Sequence, residues 1–313
     1  MTRIAVAARS FARNATLRAE LSAKYPDVTF SDSAALLDDA DLVAFLRGHD
    51  RAIIGLERVD DGILSKLPEL TIISKYGVGL DGIDVDAIAR RGIRLGWTGG
   101  VNRRSVSELT LAFAIALVHR VPETSVALRV GRWQKLVGRQ LTGRTFGIIG
   151  CGFVGQDLVK LLAPFDCRVL AHDIRDYADF YRANRVTPVG LYQLLAESDI
   201  VSLHVPLDRS TKGMIGAPQL SRMRAGTFVI NAARGSLIDE EALADALDSG
   251  HIAGAACDVF QMEPDANSRL LAAPTFLGTP HIGGSTAEAQ LAMGRAAIEG
   301  LETARIPGHG WPG

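Results

Sequence analysis

Short apolar runs recur along the chain, each followed by a stretch with helical spacing. Residues 4–8, 28–30, 51–54 and 70–74 have the composition of strands, with helices expected through residue 21, over 33–47 and over 60–67. Runs that are apolar throughout, rather than alternating, are buried on both faces, which calls for a parallel sheet covered by helices on either side. The alternation restarts after Gly143. Six strands are expected at 146–149, 168–172, 200–204, 227–231, 254–258 and 275–278, with helices at 153–162, 191–196 and 240–249. The prediction is α/β: two doubly wound parallel-sheet domains, residues 99–281 forming one and residues 1–98 with 282–313 the other. A final helix over 286–303 cannot extend a completed six-stranded sheet and is expected to return to the first domain. The closing PGHGWPG is expected to be a loose tail.

Between the two alternating regions lies TGGVNRRSVSELTLAFAIALVHR. Gly99 and Gly100 suit a domain crossing. Asn102 or Ser105 can cap the following helix, Glu108 standing at the capping-box position relative to Ser105. The helix is apolar around most of its circumference, as for a buried element. Arg103 and Arg104 at its start oppose the helix dipole, and face either a cleft with an anionic substrate or solvent.

The strand expected at 146–149 runs into Gly150, Gly152 and Gly155, a G-x-G-x-x-G spacing that opens a helix. The first glycine permits a tight turn, the second a close approach of a pyrophosphate to the backbone, and the third helix-on-strand packing. Phe153 and Val154 begin the helix, whose free N–H groups and positive dipole end face the phosphates. Asp173 follows Gly155 by 18 residues and ends the next strand, where a carboxylate binds an adenosine ribose. That carboxylate repels a 2′-phosphate, so the cofactor expected is NAD, although Arg175 stands close by. The first domain lacks this fingerprint. Its last apolar run instead enters Lys75 to Asp84, KYGVGLDGID, where consecutive N–H groups of Gly77, Val78 and Gly79 can form a nest for a substrate carboxylate, or serve only as a tight turn.

Composition adds few constraints. A net charge of −1 gives no electrostatic footprint for nucleic acid or a membrane surface, and the longest apolar run, 109–118, is too short to span a bilayer. Cys151, Cys167 and Cys257 have neither metal-ligand spacing nor the even count of a disulfide framework, which points to a reducing cytoplasm.

Three segments just after predicted strands carry groups suited to carbonyl chemistry: Arg234 in NAARGSLIDEEAL, Glu263 in DVFQMEP and His281 in TPHIGGST. Hydride addition to a ketone needs a proton donor beside the developing alkoxide, and histidine titrates in the useful range. A carboxylate against its other ring nitrogen fixes the tautomer, and an arginine holds a 2-keto acid through its planar fork. Each alone has a bland reading as a helix-end ion pair, a surface acid or a loop histidine.

With these segments, KYGVGLDGID, NRRSVSEL, GRWQKLVGRQLTGRTFGIIGCGFVG and SLHVPL make the chain resemble, over nearly its whole length, the D-isomer-specific 2-hydroxyacid dehydrogenases, especially their phosphoglycerate dehydrogenase-like branch. The resemblance implies a Rossmann cofactor domain inserted in a flavodoxin-like substrate domain. It also implies a catalytic set of His281 as general acid/base, Glu263 as its orienting partner and Arg234 as substrate anchor. Tyr76, Gly77, Val78 and Gly79 would contact the substrate. Asp258 would hold the nicotinamide carboxamide, and His204, Val205, Pro206 and Ala232 would line the cofactor. It further implies a homodimer through the cofactor domain and a 2-hydroxy or 2-keto acid substrate. The Arg-Ser pair of phosphoglycerate dehydrogenases is absent: the region reads IIGLERVDD, with Arg58 only. Hydroxypyruvate, glyoxylate and larger 2-keto acids therefore stand beside phosphohydroxypyruvate. Two other readings share the fold: an NAD(H)-sensing protein like the C-terminal binding protein co-repressors, and a phosphite or formate dehydrogenase relative, although formate enzymes usually carry Gln where Glu263 stands.

Overall fold

The computed structural model describes residues 2–266, 268–308 and 311. Two compact units divide it, one of Met1–Asn102 with Gly284–Gly313, the other of Arg103–Gly283. The first holds a parallel sheet of β1 (Ile4–Val6), β2 (Val28–Phe30), β3 (Arg51–Ile54), β4 (Ile72–Lys75) and β5 (Arg94–Gly96), in the order β2-β1-β3-β4-β5. β1, β3 and β4 are buried almost throughout, because helices cover both faces. The helix Ala287–Thr303 lies on this sheet, and Met293, Ala297, Ile298 and Leu301 join the core formed by Ile4, Val6, Ile53 and Ile72. A Cβ on Gly300 would stand 2.3 Å from the Ser74 hydroxyl, so glycine there lets helix and sheet approach. Thr286 caps this helix by accepting from the Ala289 N–H.

The second unit holds β6 (Thr145–Ile149), β7 (Arg168–His172), β8 (Val186–Pro188), β9 (Ile200–Leu203), β10 (Thr227–Asn231), β11 (Ile252–Cys257) and β12 (Phe276–Gly278). All pairings are parallel, in the order β12-β11-β10-β9-β6-β7-β8. This is the doubly wound dinucleotide-binding order with a seventh strand added at one edge. The expected six strands omitted β8, a three-residue edge strand ending in proline, whose pattern is too short to register. β5 was missed for the same reason.

Helix boundaries moved more than strand identities. The helix expected over 33–47 spans only Asp39–Leu46, begun by Asp38, whose carboxylate accepts from the Asp41 N–H. The central apolar helix is Arg103–Val118, so Ser105 lies inside it and is not its cap; its hydroxyl donates to the Gly283 carbonyl instead. Arg104 faces neither solvent alone nor an open anion site, for it pairs at 3.0 Å with the buried Asp157 of the helix Phe153–Leu162. Of the expected loose tail, residues 309, 310, 312 and 313 lie outside the described residues, while the Arg305 guanidinium sits 4.7 Å above the Trp311 ring. Among the described residues no single helix is long and apolar enough to cross a membrane.

Candidate active site

In the seven-stranded sheet every strand points the same way, so each loop that leaves a carboxyl end emerges on one edge. Along that edge the order runs from the His281 loop after β12, through Asp258 and Glu263 after β11, Arg234 after β10 and His204–Pro206 after β9, to Gly150–Gly155 after β6 and Asp173 after β7. Residues scattered over more than a hundred positions of sequence thus fall into one row, where open α/β sheets bind ligands.

The glycine loop separates internal packing from ligand space. A Cβ on Gly155 would lie 2.3 Å from the Gly150 carbonyl oxygen, and one on Gly150 (φ +93) would lie 2.7 Å from the His204 backbone and the Val205 side chain. Both glycines are required by the protein itself. Gly152 is not, since a Cβ there would meet nothing within 4 Å. It begins the helix Phe153–Leu162 without any side-chain cap, so the first N–H groups of that helix remain open to a ligand. A glycine that the chain's own packing does not require, set at an uncapped helix N-terminus, fits a dinucleotide phosphate. Phe153 and Val154 occupy the first turn. Asp173 accepts from the Cys151 N–H at 2.6 Å and from the Arg175 N–H at 2.8 Å, which fixes its carboxylate beside the loop. Burial pushes the Cys151 thiol up to about 12, so it stays protonated as a small filler.

His204 donates to or accepts from the Ser202 hydroxyl at 2.9 Å through Nε2. Its Nδ1 is buried with no partner among the described residues. Burial lowers its pKa to about 4, so the ring is neutral at physiological pH. Val205 and Pro206 continue from it, and Ala232 stands one residue beyond β10.

His281 and Glu263 meet directly: Nδ1 lies 2.8 Å from Oε2. The other carboxylate oxygen accepts from the Phe260 N–H at 3.0 Å, so Glu263 is held at both ends. With Nδ1–H committed to the carboxylate, Nε2 is the nitrogen left to exchange a proton. His281 has φ +54, a left-handed conformation that a non-glycine residue adopts only when its surroundings impose it. Its N–H donates to the carbonyls of Asp258 (2.8 Å) and Thr279 (3.0 Å).

Asp258 has a role that the sequence did not disclose. Expected at a nicotinamide carboxamide, it is 1% exposed and its carboxylate is engaged within the chain. Oδ1 accepts from the Thr279 hydroxyl at 2.6 Å and the Ile282 N–H at 2.7 Å, and Oδ2 accepts from the Gly283 N–H at 2.7 Å. These contacts bracket His281 on both sides. Thr279 and Gly283 had no signal in the sequence beyond their place in TPHIGGST.

Arg234 begins a short 3₁₀ turn, Gly235–Leu237, with its carbonyl accepting from the Asn231 amide at 2.8 Å. A Cβ on Gly235 would stand 1.9 Å from the Phe260 carbonyl carbon, so the loops of Arg234 and Glu263 pack backbone against backbone. The loop that carries Arg234 is thereby fastened to the loop that carries Glu263, while the Arg234 guanidinium donates to the Ala233 carbonyl at 2.7 Å. Tyr76, Gly77, Val78 and Gly79 follow β4 in the other unit. Gly77 has φ +107, and the Val78 carbonyl accepts from the Trp97 indole at 2.9 Å. The Tyr76 hydroxyl is buried without a partner among the described residues, and burial raises its pKa to about 12.

Residues 111–283 match the model of the D-isomer specific 2-hydroxyacid dehydrogenase NAD-binding domain. The chain belongs to this family. It is an NAD-dependent oxidoreductase of D-2-hydroxy acids. It is 38% identical over 248 residues to the hydroxypyruvate reductase of Thermotoga maritima, covering 77% of this chain and 80% of that protein. To the D-3-phosphoglycerate dehydrogenase of Mycobacterium tuberculosis H37Rv it is 37% identical over 252 residues, covering 79% of this chain but only 47% of that one. The chain thus spans about half the length of the phosphoglycerate dehydrogenases it matches. A solved glyoxylate reductase from Paecilomyes thermophila superposes with a TM-score of 0.86 at 25% identity, covering 96% of this chain and 95% of that one.

Proposed function

We propose that this protein reduces a small 2-keto acid to its D-2-hydroxy acid with His281 as the proton donor. The 2.8 Å contact between His281 Nδ1 and Glu263 carries this reading, because it leaves Nε2 as the one exchangeable ring position and gives the imidazolium a counter-charge. When bound, NADH supplies the hydride, which adds to the carbonyl carbon as the carbonyl π bond opens onto oxygen. His281 gives its Nε2 proton to that oxygen, so one keto acid, one hydride and one proton make one hydroxy acid. Arg234 holds the substrate carboxylate or carbonyl by its guanidinium fork. In the first unit, Gly77, Val78 and Gly79 offer a nest of backbone N–H groups of the kind that takes a carboxylate. Gly152 and the first turn from Phe153 cradle the pyrophosphate, and Asp173 takes the ribose hydroxyls, which disfavours a 2′-phosphate. In the oxidative direction neutral His281 accepts the proton.

The protein acts as a homodimer through its cofactor-binding unit and resides in the cytoplasm, in this reading. The dimer is supported by an apolar stretch after the helix Val121–Arg129, where Val130, Trp133 (82% exposed) and Val137 (94% exposed) stand out from the surface. The sparse free thiols support the reducing compartment.

The test is NADH oxidation by the purified protein across a panel of 2-keto acids, with chiral analysis of the product. His281→Ala should lower kcat by about 10² to 10⁴-fold while NADH fluorescence still reports binding. A His281→Ala enzyme with unreduced kcat would refute the assigned role, and a panel without turnover would refute the activity.

A further inference from the structure

β4 ends on a lysine, and that lysine is buried. Lys75 is 6% exposed at the carboxyl end of an interior strand, directly before Tyr76 and the Gly77–Gly79 nest. Lysine is almost never buried to this degree unless its charge is engaged. Its Nζ donates to the Gly55 carbonyl and, at 3.0 Å, to the Tyr76 carbonyl. The ammonium also lies against the nest itself. A Cβ built on Gly77, which has φ +107, would stand 3.4 Å from Nζ.

The Tyr76 carbonyl belongs to the same peptide unit as the Gly77 N–H. An ammonium on that carbonyl makes the N–H a stronger donor, since linked hydrogen bonds polarise one another by about 10–30% per bond. The N–H groups of Gly77, Val78 and Gly79 donate to no group among the described residues, whereas the Tyr76 N–H is spent on the Ile54 carbonyl at 2.8 Å. The nest therefore offers three half-buried donors, the first of them polarised. A full positive charge stands beside them, where the local dielectric is lower than that of water.

A buried charge of the opposite sign stands on the adjoining loop. Glu57, 2% exposed, accepts from the Gly55 N–H. Gly55 is thus gripped through its N–H by a carboxylate and through its carbonyl by the ammonium, and the two buried charges compensate each other. Balancing Glu57 alone would not require Nζ to reach the Tyr76 carbonyl and Gly77, the two sides of the peptide that opens the nest.

We propose that Lys75 is a positioning residue for the substrate carboxylate: its ammonium polarises the Tyr76–Gly77 peptide and supplies the positive field that lets a neutral backbone nest hold an anion. The proposal rests on the reading that the protein reduces 2-keto acids and that the nest takes their carboxylate. Lys75→Gln keeps two N–H donors for the Gly55 and Tyr76 carbonyls and removes the charge. With a 2-keto acid that the wild type turns over, its KM should rise about tenfold while kcat stays within about threefold, the pattern of a lost ground-state contact to a charged group. The inhibition constant of oxamate, a keto-acid mimic with no reducible ketone, should rise by the same factor, and NADH titrations followed by fluorescence should not change. The double variant Lys75→Gln, Glu57→Gln removes both buried charges, so its folding no longer depends on their balance, and it should keep the raised KM. A native KM in Lys75→Gln overturns the proposal. So does a native KM in the double variant, which would show that Lys75 serves only to balance Glu57. Either result leaves the reductase reading intact, whereas a wild-type protein that reduces no 2-keto acid overturns both.

Discussion

Asp258→Asn tests whether the His281 loop is set by a buried carboxylate. Asn preserves shape and keeps one carbonyl oxygen. That oxygen can retain the pair of donors on Oδ1, the Thr279 hydroxyl and the Ile282 N–H, which leaves the new NH2 group facing the Gly283 N–H. Two donors then oppose each other in a site only 1% exposed. One charge-assisted hydrogen bond is lost and one buried donor is left unmatched, together about 2–3 kcal/mol. For a chain this size that corresponds to a fall in Tm of roughly 3–5 °C. The left-handed backbone of His281 costs on the order of 1 kcal/mol or more and persists only while the loop is over-determined. Once the brace weakens, a shift of about 1 Å in the imidazole is expected to lower kcat about 10²-fold. Scanning calorimetry and steady-state kinetics read the two effects on the same preparation. An Asp258→Asn protein with native Tm and native kcat would refute this account. A native Tm with weakened NADH binding alone would show that the residue serves the cofactor and not the loop.

The glycine loop gives a paired expectation. Gly155→Ala forces a methyl to within 2.3 Å of the Gly150 carbonyl and should cost about 1–3 kcal/mol in stability as well as NADH affinity, whereas Gly152→Ala, which meets no protein atom, should weaken NADH binding with Tm nearly unchanged; denaturant melts and NADH fluorescence titrations decide it. Asp173→Ala should lower the NAD-over-NADP ratio of kcat/KM, and an unchanged ratio would remove it from the ribose site. His204 is a base whose pKa is depressed on folding, from its ordinary 6.5 to about 4, so the unfolded chain binds its proton first. Its contribution is complete above about pH 6.5 and is lost as pH falls toward 4, by no more than about 3 kcal/mol. Urea melts at several pH values should show a shallower acid slope for His204→Gln than for the wild type.

The sequence by itself determined the alternation of apolar runs and helices, because strands buried on both faces must be apolar throughout whatever the rest of the chain does. It also determined the glycine fingerprint, since a backbone that must turn at Gly150 and admit a helix at Gly155 tolerates no Cβ. The residues Arg234, Glu263 and His281 could be singled out from their places after predicted strands. What only the tertiary structure decided were matters of pairing. Strand order puts β10, β11 and β12 side by side, and that adjacency brings Glu263 to His281 from 18 residues away. The Arg103-Arg104 pair could not be resolved in sequence, because the partner of Arg104, Asp157, stands 53 residues along on another helix. Asp258 showed the same limit most plainly. A carboxylate after a strand has no sequence mark that tells whether its lone pairs face a ligand or three donors of the neighbouring loop. Edge strands β5 and β8 escaped notice because three residues are too few to establish a period. Periodicity and backbone sterics are local properties, written residue by residue; hydrogen-bond partnership and electrostatic pairing depend on distances that exist only once the sheet has assembled.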